Sequence, residues 1–142
     1  MDAELVARLR GVIHRLAREL NDTSTGEGLT PTQYSVLALV RNRGPLGLAE
    51  LTELEGLNPT MVSRIIKVLD ERELIRRMPD PHDMRAARLV ATELGEQVHG
   101  RVREQRTQVL CECLGQLPAE TADALLAAVP AMEALAEAVK RR

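Results

Sequence analysis

Four hydrogen-bond donors near the middle of the chain follow the spacing of one helix face. They are Thr60, Ser63, Arg64 and Lys67. The stripe they form carries no acid, and an apolar stripe with the i, i+3, i+4, i+7 pattern runs along the opposite side of the same helix. The apolar positions are Val62, Ile65, Ile66 and Leu69. Hydroxyl, guanidinium and ammonium groups in this arrangement can donate to phosphates and to base edges in the major groove of duplex DNA.

A second group of donors follows in a predicted β-hairpin, with strands over residues 74–78 and 87–91 and a proline-rich turn between them. Its four arginines are Arg76, Arg77, Arg85 and Arg88. A protruding hairpin can insert an arginine into a narrow minor groove, where the potential is most negative. Asp83 lies two residues before Arg85 and can hold its guanidinium through a charge-assisted hydrogen bond.

Each of these features has an ordinary alternative. A charged helix face is most often only solvated, and a hairpin arginine beside an aspartate can be a self-contained surface ion pair. The order along the chain favours binding, because a short helix over residues 48–55 and a turn at Gly56 come directly before the donor-bearing helix. A short helix, a glycine turn and an amphipathic helix together have the form of a helix-turn-helix.

The rest of the sequence predicts a mainly α fold whose strands form one small β-hairpin wing. Thr30, Asn58 and Thr92 are predicted N-caps, and Pro31 and Pro59 are predicted first-turn prolines. The predicted helices cover residues 3–20, 31 to about 43, 48–55, 59–73 and 93–114, and a last helical stretch that Pro118 opens and Pro130 kinks or divides.

The composition narrows the classes of protein. The chain has 142 residues and a net charge of −2, and 44% of its residues are hydrophobic, which fits one folded domain. Residues 64–88 hold seven basic and five acidic residues, so positive charge is concentrated near the predicted donors. Tyr34 is the single aromatic residue, which argues against single-stranded nucleic-acid binding by base stacking. No apolar run can span a bilayer and no signal peptide is recognisable, so the sequence predicts a cytoplasmic protein with no membrane partner.

Catalytic and metal-binding patterns are not found in the sequence. His14, His82 and His99 lie on three different predicted elements without ligand spacing, and no nucleophile–base set or glycine-rich phosphate loop is present. We therefore predict no metal, no cofactor and no enzyme activity. Cys111 and Cys113 lie two positions apart on a helix and face nearly opposite sides, so they cannot easily bridge each other. A redox role for either thiol stays open, since only an exposed, reactive thiol would serve.

Four segments together resemble the recognition helix, the wing and the following helix start of MarR-family regulators. They are residues 58–64 (NPTMVSR), 69–77 (LDERELIRR), 80–86 (DPHDMRA) and 92–95 (TELG). The resemblance implies that the helix beginning at Asn58 enters the major groove, that Arg85 enters the minor groove and that Asp83 braces the wing. The predicted DNA-binding residues are Asn58, Pro59, Thr60, Ser63, Arg64, Lys67, Arg77, Asp83 and Arg85.

Two positions depart from the pattern of that family. Glu73 and Leu74 occupy the corner before the first wing strand, where the family usually has glycine. Glu55 occupies a position of the helix-turn-helix that is often apolar. Neither departure removes a predicted DNA-facing group.

The terminal helices carry more apolar surface than one small winged domain can cover. The resemblance implies that they pair two chains, so we predict a winged helix-turn-helix with N- and C-terminal dimerisation helices. The predicted segments are a dimerisation helix and linker (1–29), a DNA-binding lobe (30–92) and C-terminal dimerisation helices (93–142), in one intertwined domain. The alternative is a monomer that folds both ends over its own core.

The predicted function is sequence-specific regulation of transcription, with a homodimer acting as a repressor on a pseudo-palindromic duplex site. The resemblance also implies a small aromatic or anionic effector near His14, Arg18, Tyr34 and Arg41, although a protein without any effector is an equal alternative. The competing function, which the negative net charge favours, is a protein-interaction module that keeps the fold without recognising DNA.

Overall fold

The computed structural model describes residues 1–22, 26–83 and 86–142, which form two compact units, Met1–Arg106 and Thr107–Arg142. Part of the predicted linker (residues 23–25) and two wing residues, Met84 and Arg85, therefore lie outside the described residues. In chain order the elements are α1 (Ala3–Asp22), α2 (Pro31–Arg43), β1 (Leu46–Gly47), α3 (Leu48–Glu55), α4 (Pro59–Glu71), β2 (Ile75–Pro79), β3 (Ala87–Ala91), α5 (Glu93–Gly115), α6 (Ala119–Ala127) and α7 (Val129–Lys140).

The three predicted N-caps are confirmed. Thr30 and Gln33 form a reciprocal capping box at the start of α2, so two otherwise unpaired backbone donors are satisfied. Asn58 Oδ1 accepts a hydrogen bond from the Met61 N–H at 2.8 Å, and Thr92 Oγ1 accepts one from the Gly95 N–H at 3.0 Å. These caps fix where the helices that carry and support the wing begin.

The core of the first unit lies among α2, α3, α4 and the sheet. The predicted apolar face of α4 is buried, and it packs with residues of α2, α3 and the start of β2. The fully buried side chains are Val36, Leu37, Val40, Leu51, Val62, Leu69, Leu74, Ile75 and Val102. Because one side of α4 is held in this core, its opposite side faces solvent.

The sheet has three strands in the order β1-β3-β2, which corrects the prediction that the strands form only a hairpin. The additional strand β1 pairs antiparallel with β3, with Leu46 opposite Leu89 and Gly47 opposite Arg88. Two residues are too few to show the alternation by which a strand is recognised in a sequence, so periodicity could not have found β1.

Two corners of this unit adopt positive φ angles. Gly56 closes α3 with φ 66°, which provides the tight turn of the helix-turn-helix. Glu73 has φ 60°, an unusual value for a residue with a side chain, and it occupies the corner where the resembled family usually has glycine. The corner is thus left-handed although it has glutamate in place of glycine, the residue that favours this conformation.

The second unit contains the end of α5 and the helices α6 and α7. The break between α6 and α7 falls at Ala128, two residues before Pro130, which confirms the predicted division. Cys111 and Cys113 are both exposed on the single chain. None of the helices in the described ranges combines the length and apolar character that a bilayer crossing requires.

Candidate nucleic-acid interface

The four donors on α4 lie on its solvent-facing side. Thr60, Ser63, Arg64 and Lys67 are all exposed, whereas Val62, Ile65, Ile66 and Leu69 are buried. At its N-terminus, Asn58 uses its side-chain oxygen for the cap, and Pro59 occupies the first turn. The predicted outward orientation of the donor stripe is confirmed. The exposed end that begins at Asn58 is the part of a recognition helix that ordinarily contacts base edges.

A cavity of about 430 Å³ lies between α4 and the wing, and side chains of both elements line it. Ser63 and Ile66 line it from α4, and Arg77 and Leu89 line it from the sheet. The start of α3 closes a further side through Leu48. The helix donor Ser63 and the wing cation Arg77 therefore border the same concave surface.

The strand register assigns the wing arginines to different faces of the hairpin. Arg77 lies opposite Leu89, whose side chain is buried against the helices, while Arg76 lies opposite Val90 and Met78 lies opposite Arg88. Since side chains alternate along a strand, Arg77 shares the helix-facing side with Leu89. Arg76 and Arg88 lie on the other side of the sheet.

Asp80 is the acid whose contacts brace the described part of the wing. Its Oδ1 accepts a hydrogen bond from the His82 N–H at 2.8 Å, and its Oδ2 lies 3.2 Å from Arg88 Nε. The His82 N–H, followed by the charge and hydrogen bond of Arg88, lowers the pKa of Asp80, so the carboxylate is charged at neutral pH. Asp83, the acid that the resemblance singles out, is exposed, and its carbonyl accepts from the Ala86 N–H at 3.1 Å.

The predicted bracing of Arg85 by Asp83 falls on a residue outside the described ranges, so it stays a prediction. The pairing of Asp80 with Arg88 was not predicted from the sequence. The available signal was an acid directly after the first strand of the hairpin and a base at the second residue of the returning strand.

The unusual Glu55 has a polar partner in the structure. The Ser35 hydroxyl of α2 donates to Glu55 Oε1 at 3.0 Å, so the carboxylate at this position joins α3 to α2. The hydrogen bond explains how this corner accommodates an acid where helix-turn-helix proteins often have an apolar residue.

The predicted effector residues lie in different places. His14 and Arg18 are exposed on α1, where Arg18 lies 3.6 Å from Glu19, and Arg41 of α2 lies 3.8 Å from Glu96 of α5. Tyr34 is buried. The structure thus does not gather these four residues into one cluster.

The Tyr34 ring contacts two residues of α5. Its ring stacks on the His99 imidazole with centroids 5.4 Å apart and planes inclined by 11°, and the Arg106 guanidinium carbon lies 4.4 Å from the ring centroid. Burial, and then the charges of Arg41 and Arg103, lower the pKa of His99, although Glu96 acts in the opposite direction. The neutral imidazole is therefore favoured beside the ring.

A second cavity, of about 410 Å³, opens beside this ring. Its polar lining residues are Asn21, Thr32, Tyr34, Ser35, Glu55 and Arg106. Sequence reasoning identified Tyr34 but not Arg106, because nothing in the sequence indicates that the two side chains meet.

The chain is similar to known regulators along most of its length. A family model, the MarR family, matches residues 29–87. An HTH-type transcriptional regulator of Mycobacterium bovis is 28% identical over 136 residues, which cover 96% of this chain and 95% of that protein. The HTH-type transcriptional repressor MdtR of Bacillus subtilis is 25% identical over 118 residues, covering 83% and 76% of the two chains.

Solved structures agree with this similarity. A transcriptional regulator of Thermotoga maritima superimposes with a TM-score of 0.80 at 26% identity and 99% coverage of both chains. A MepR variant of S. aureus bound to an oligodeoxyribonucleotide has a TM-score of 0.67 at 17% identity, covers 92% of this chain and 96% of its own, and is similar in fold alone.

A helix-turn-helix followed by a small antiparallel wing defines a winged helix-turn-helix protein. The match to the MarR-family model covers residues 29–87, and the similar proteins of M. bovis, B. subtilis and T. maritima are regulators of transcription.

Proposed function

We propose that the chain is a repressor that binds a pseudo-palindromic duplex site as a homodimer. The observation that carries the proposal is the concave surface that the acid-free face of α4 shares with the wing. Ser63 and Arg77 line it, and Arg64 and Lys67 extend the donors along the helix. In this proposal Thr60, Ser63 and Arg64 recognise or align base edges, and Lys67 and Arg77 contact phosphate.

The roles proposed for Arg85 and Asp83 rest on the sequence alone. Arg85 would enter the minor groove from the wing, with Asp83 holding its guanidinium. The similar B. subtilis protein MdtR is a transcriptional repressor, which supports the repressor role.

Pairing of two chains is supported by the apolar surface of the terminal helices. On the single chain no residue of α1 is buried, and Leu5, Leu9 and Leu16 are between 43% and 58% exposed. The helices α6 and α7 also lack buried residues, and their exposed apolar side chains are Leu125, Leu126, Val129, Met132, Leu135 and Val139. Burial of such surfaces against a second copy removes them from water and gives a two-fold DNA-binding unit.

The proposal includes release from DNA by a small effector. The cavity beside Tyr34 presents an aromatic ring and the Arg106 guanidinium, which suit a small aromatic anion. Because Tyr34 is the only fluorescent aromatic residue of the chain, its emission reports directly on this cavity. Titration with benzoate is expected to change Tyr34 emission and to weaken DNA binding together. An unchanged emission over the range in which DNA is released would place the effector elsewhere.

Selection from a pool of random duplexes tests the proposed function. The wild-type chain is expected to enrich an inverted repeat whose half-sites lie about one helical turn apart, centre to centre. Arg64→Ala is expected to weaken the base preference within each half-site while leaving the half-site spacing unchanged. Arg76→Ala, on the outer face of the wing, is expected to change neither the base preference nor the spacing. Failure to enrich any duplex at low salt would contradict the proposal.

The competing function is a protein-interaction module, which the net charge of −2 favours. A module of this kind would bind no duplex at low salt. A protein that binds DNA electrostatically loses affinity steeply as salt displaces it from the phosphates. One salt titration therefore distinguishes the two functions.

A further inference from the structure

An ion pair between Asp80 and Arg88 closes the base of the wing turn. The side chain of Asp80 is 18% exposed and that of Arg88 is 34% exposed, so solvent screens the pair only in part. The Asp80 carboxylate also accepts from the His82 N–H, and the Asp80 N–H donates to the Ala86 carbonyl at 3.3 Å. One aspartate thus connects the turn, the end of β2 and the beginning of β3.

The position of Asp80 makes its charge relevant to DNA. Asp80 lines the same cavity as Ser63 and Arg77, where an unpaired carboxylate would repel an approaching phosphate. Arg88 lies on the face of the hairpin opposite to Arg77, because Arg88 pairs with Met78 whereas Arg77 pairs with Leu89. Its guanidinium neutralises the Asp80 carboxylate at 3.2 Å. Arg88 therefore pairs with an acid of the cavity lining, while Arg88 itself is not among the residues that line the cavity.

We propose that Arg88 is a positioning residue for DNA binding, which fixes the wing turn and neutralises Asp80 instead of contacting phosphate. The inference rests on the proposed DNA-binding function. From charge alone, removing the Asp80 carboxylate from a DNA-facing surface should raise the affinity for DNA. The inference predicts the opposite, because removing Asp80 also removes the contact that fixes the wing.

Binding of variants to the duplex selected by the wild type tests the inference. Arg88→Gln is compared with Arg76→Gln, which removes the same charge from the same side of the sheet without touching Asp80. We expect Arg88→Gln to bind about three- to tenfold more weakly than Arg76→Gln, and Arg88→Lys to restore most of the loss. The salt dependence of Arg88→Gln should equal that of the wild type, because no phosphate contact is lost.

The aspartate supplies the second arm of the experiment. Asp80→Asn should weaken binding, whereas Asp70→Asn, an exposed carboxylate on α4, should not. The double variant Asp80→Asn/Arg88→Gln should bind more tightly than Arg88→Gln alone, since it leaves no unpaired acid at the surface. Thermal unfolding of each variant shows whether it is folded at the assay temperature. If Arg88→Gln is unfolded, the DNA affinity of Asp80→Asn tests the inference in its place.

Three results would overturn the inference: equal binding by Arg88→Gln and Arg76→Gln, tighter binding by Asp80→Asn, or a salt slope reduced by about one per protomer in Arg88→Gln. Each of these leaves the proposed function standing if the wild type still binds duplex DNA. Absence of wild-type binding at low salt would overturn both.

Discussion

Ser63 of α4 and Arg77 of β2 border one cavity, although they belong to different elements of the fold. Val62 and Ile66 hold α4 in the core on one side of Ser63, and the Arg77–Leu89 register directs the arginine toward the same helix. A duplex that reaches the α4 donors at this place also meets the wing. The arrangement follows from core packing and strand register, so it exists before any ligand binds.

The wing arginine that lies outside the described ranges gives the first prediction. Arg85→Ala should weaken binding to the selected duplex by about 1–3 kcal/mol, the scale of one specific contact. Arg76→Ala, which removes an arginine from the outer face of the hairpin, is the control and should change binding little. A gel-shift titration in which the two variants bind equally would exclude a minor-groove role for Arg85.

Replacement by alanine at two glycines of α5, Gly95 and Gly100, should have opposite effects on the free energy of unfolding. A Cβ at Gly95 would overlap the Leu74 carbonyl oxygen, and backbone cannot easily move away, so Gly95→Ala should lower the free energy of unfolding by roughly 1–3 kcal/mol. A Cβ at Gly100 meets nothing within 4 Å, so Gly100→Ala should raise it by about 0.5–1 kcal/mol through helix propensity. Urea unfolding measures both, and equal effects would contradict the packing of α5 against the wing corner.

The left-handed corner at Glu73 can be improved. Glu73→Gly should raise the free energy of unfolding by about 0.5–1 kcal/mol, because glycine adopts a φ of 60° without a steric penalty. Glu71→Gly, two residues earlier in the last turn of α4, is the control and should lower it by about 1 kcal/mol. Destabilisation by Glu73→Gly in urea unfolding would show that the corner is not left-handed.

The buried imidazole of His99 predicts how stability depends on pH. Its pKa is lowered in the folded chain, mainly by burial, while an unfolded histidine titrates near about pH 6.5. The unfolded state therefore takes up the proton first, and stability that is present above about pH 6.5 is lost as the pH falls through the folded pKa. His99→Phe keeps a ring against Tyr34 and should reduce the decrease in urea midpoint between about pH 7 and 5.5.

The matched control for that experiment is His82→Asn, which removes an exposed histidine of the wing. It should retain the pH dependence of the wild type. The account of His99 would be wrong if His99→Phe and the wild type lost stability in parallel over this range.

Local sequence signals predicted the recognition helix well, because its start and its faces depend on neighbours in the chain. Asn58 and Pro59 mark the first turn, and the spacing of Val62, Ile66 and Leu69 defines the buried side. These features need no knowledge of the tertiary fold.

Contacts between distant segments could not be predicted in this way. The strand β1 is two residues long and exists only because β3 pairs with it. The contacts of Tyr34 with His99 and Arg106 depend on how α2 packs against α5, and the Asp80–Arg88 pair depends on the hairpin register. Such pairings follow from tertiary geometry, which periodicity and propensity do not contain.

The two lysines of the chain allow the most direct test of the central claim, that the outward face of α4 contacts DNA. Lys67 lies on that face and Lys140 ends α7. The measurement is the affinity for the selected duplex between about 50 and 200 mM salt. Lys67→Ala should reduce the slope of log affinity against log salt by about one per protomer, while Lys140→Ala should leave it unchanged. A slope that Lys67→Ala does not alter, or an affinity of the wild type that salt does not alter, would contradict the account.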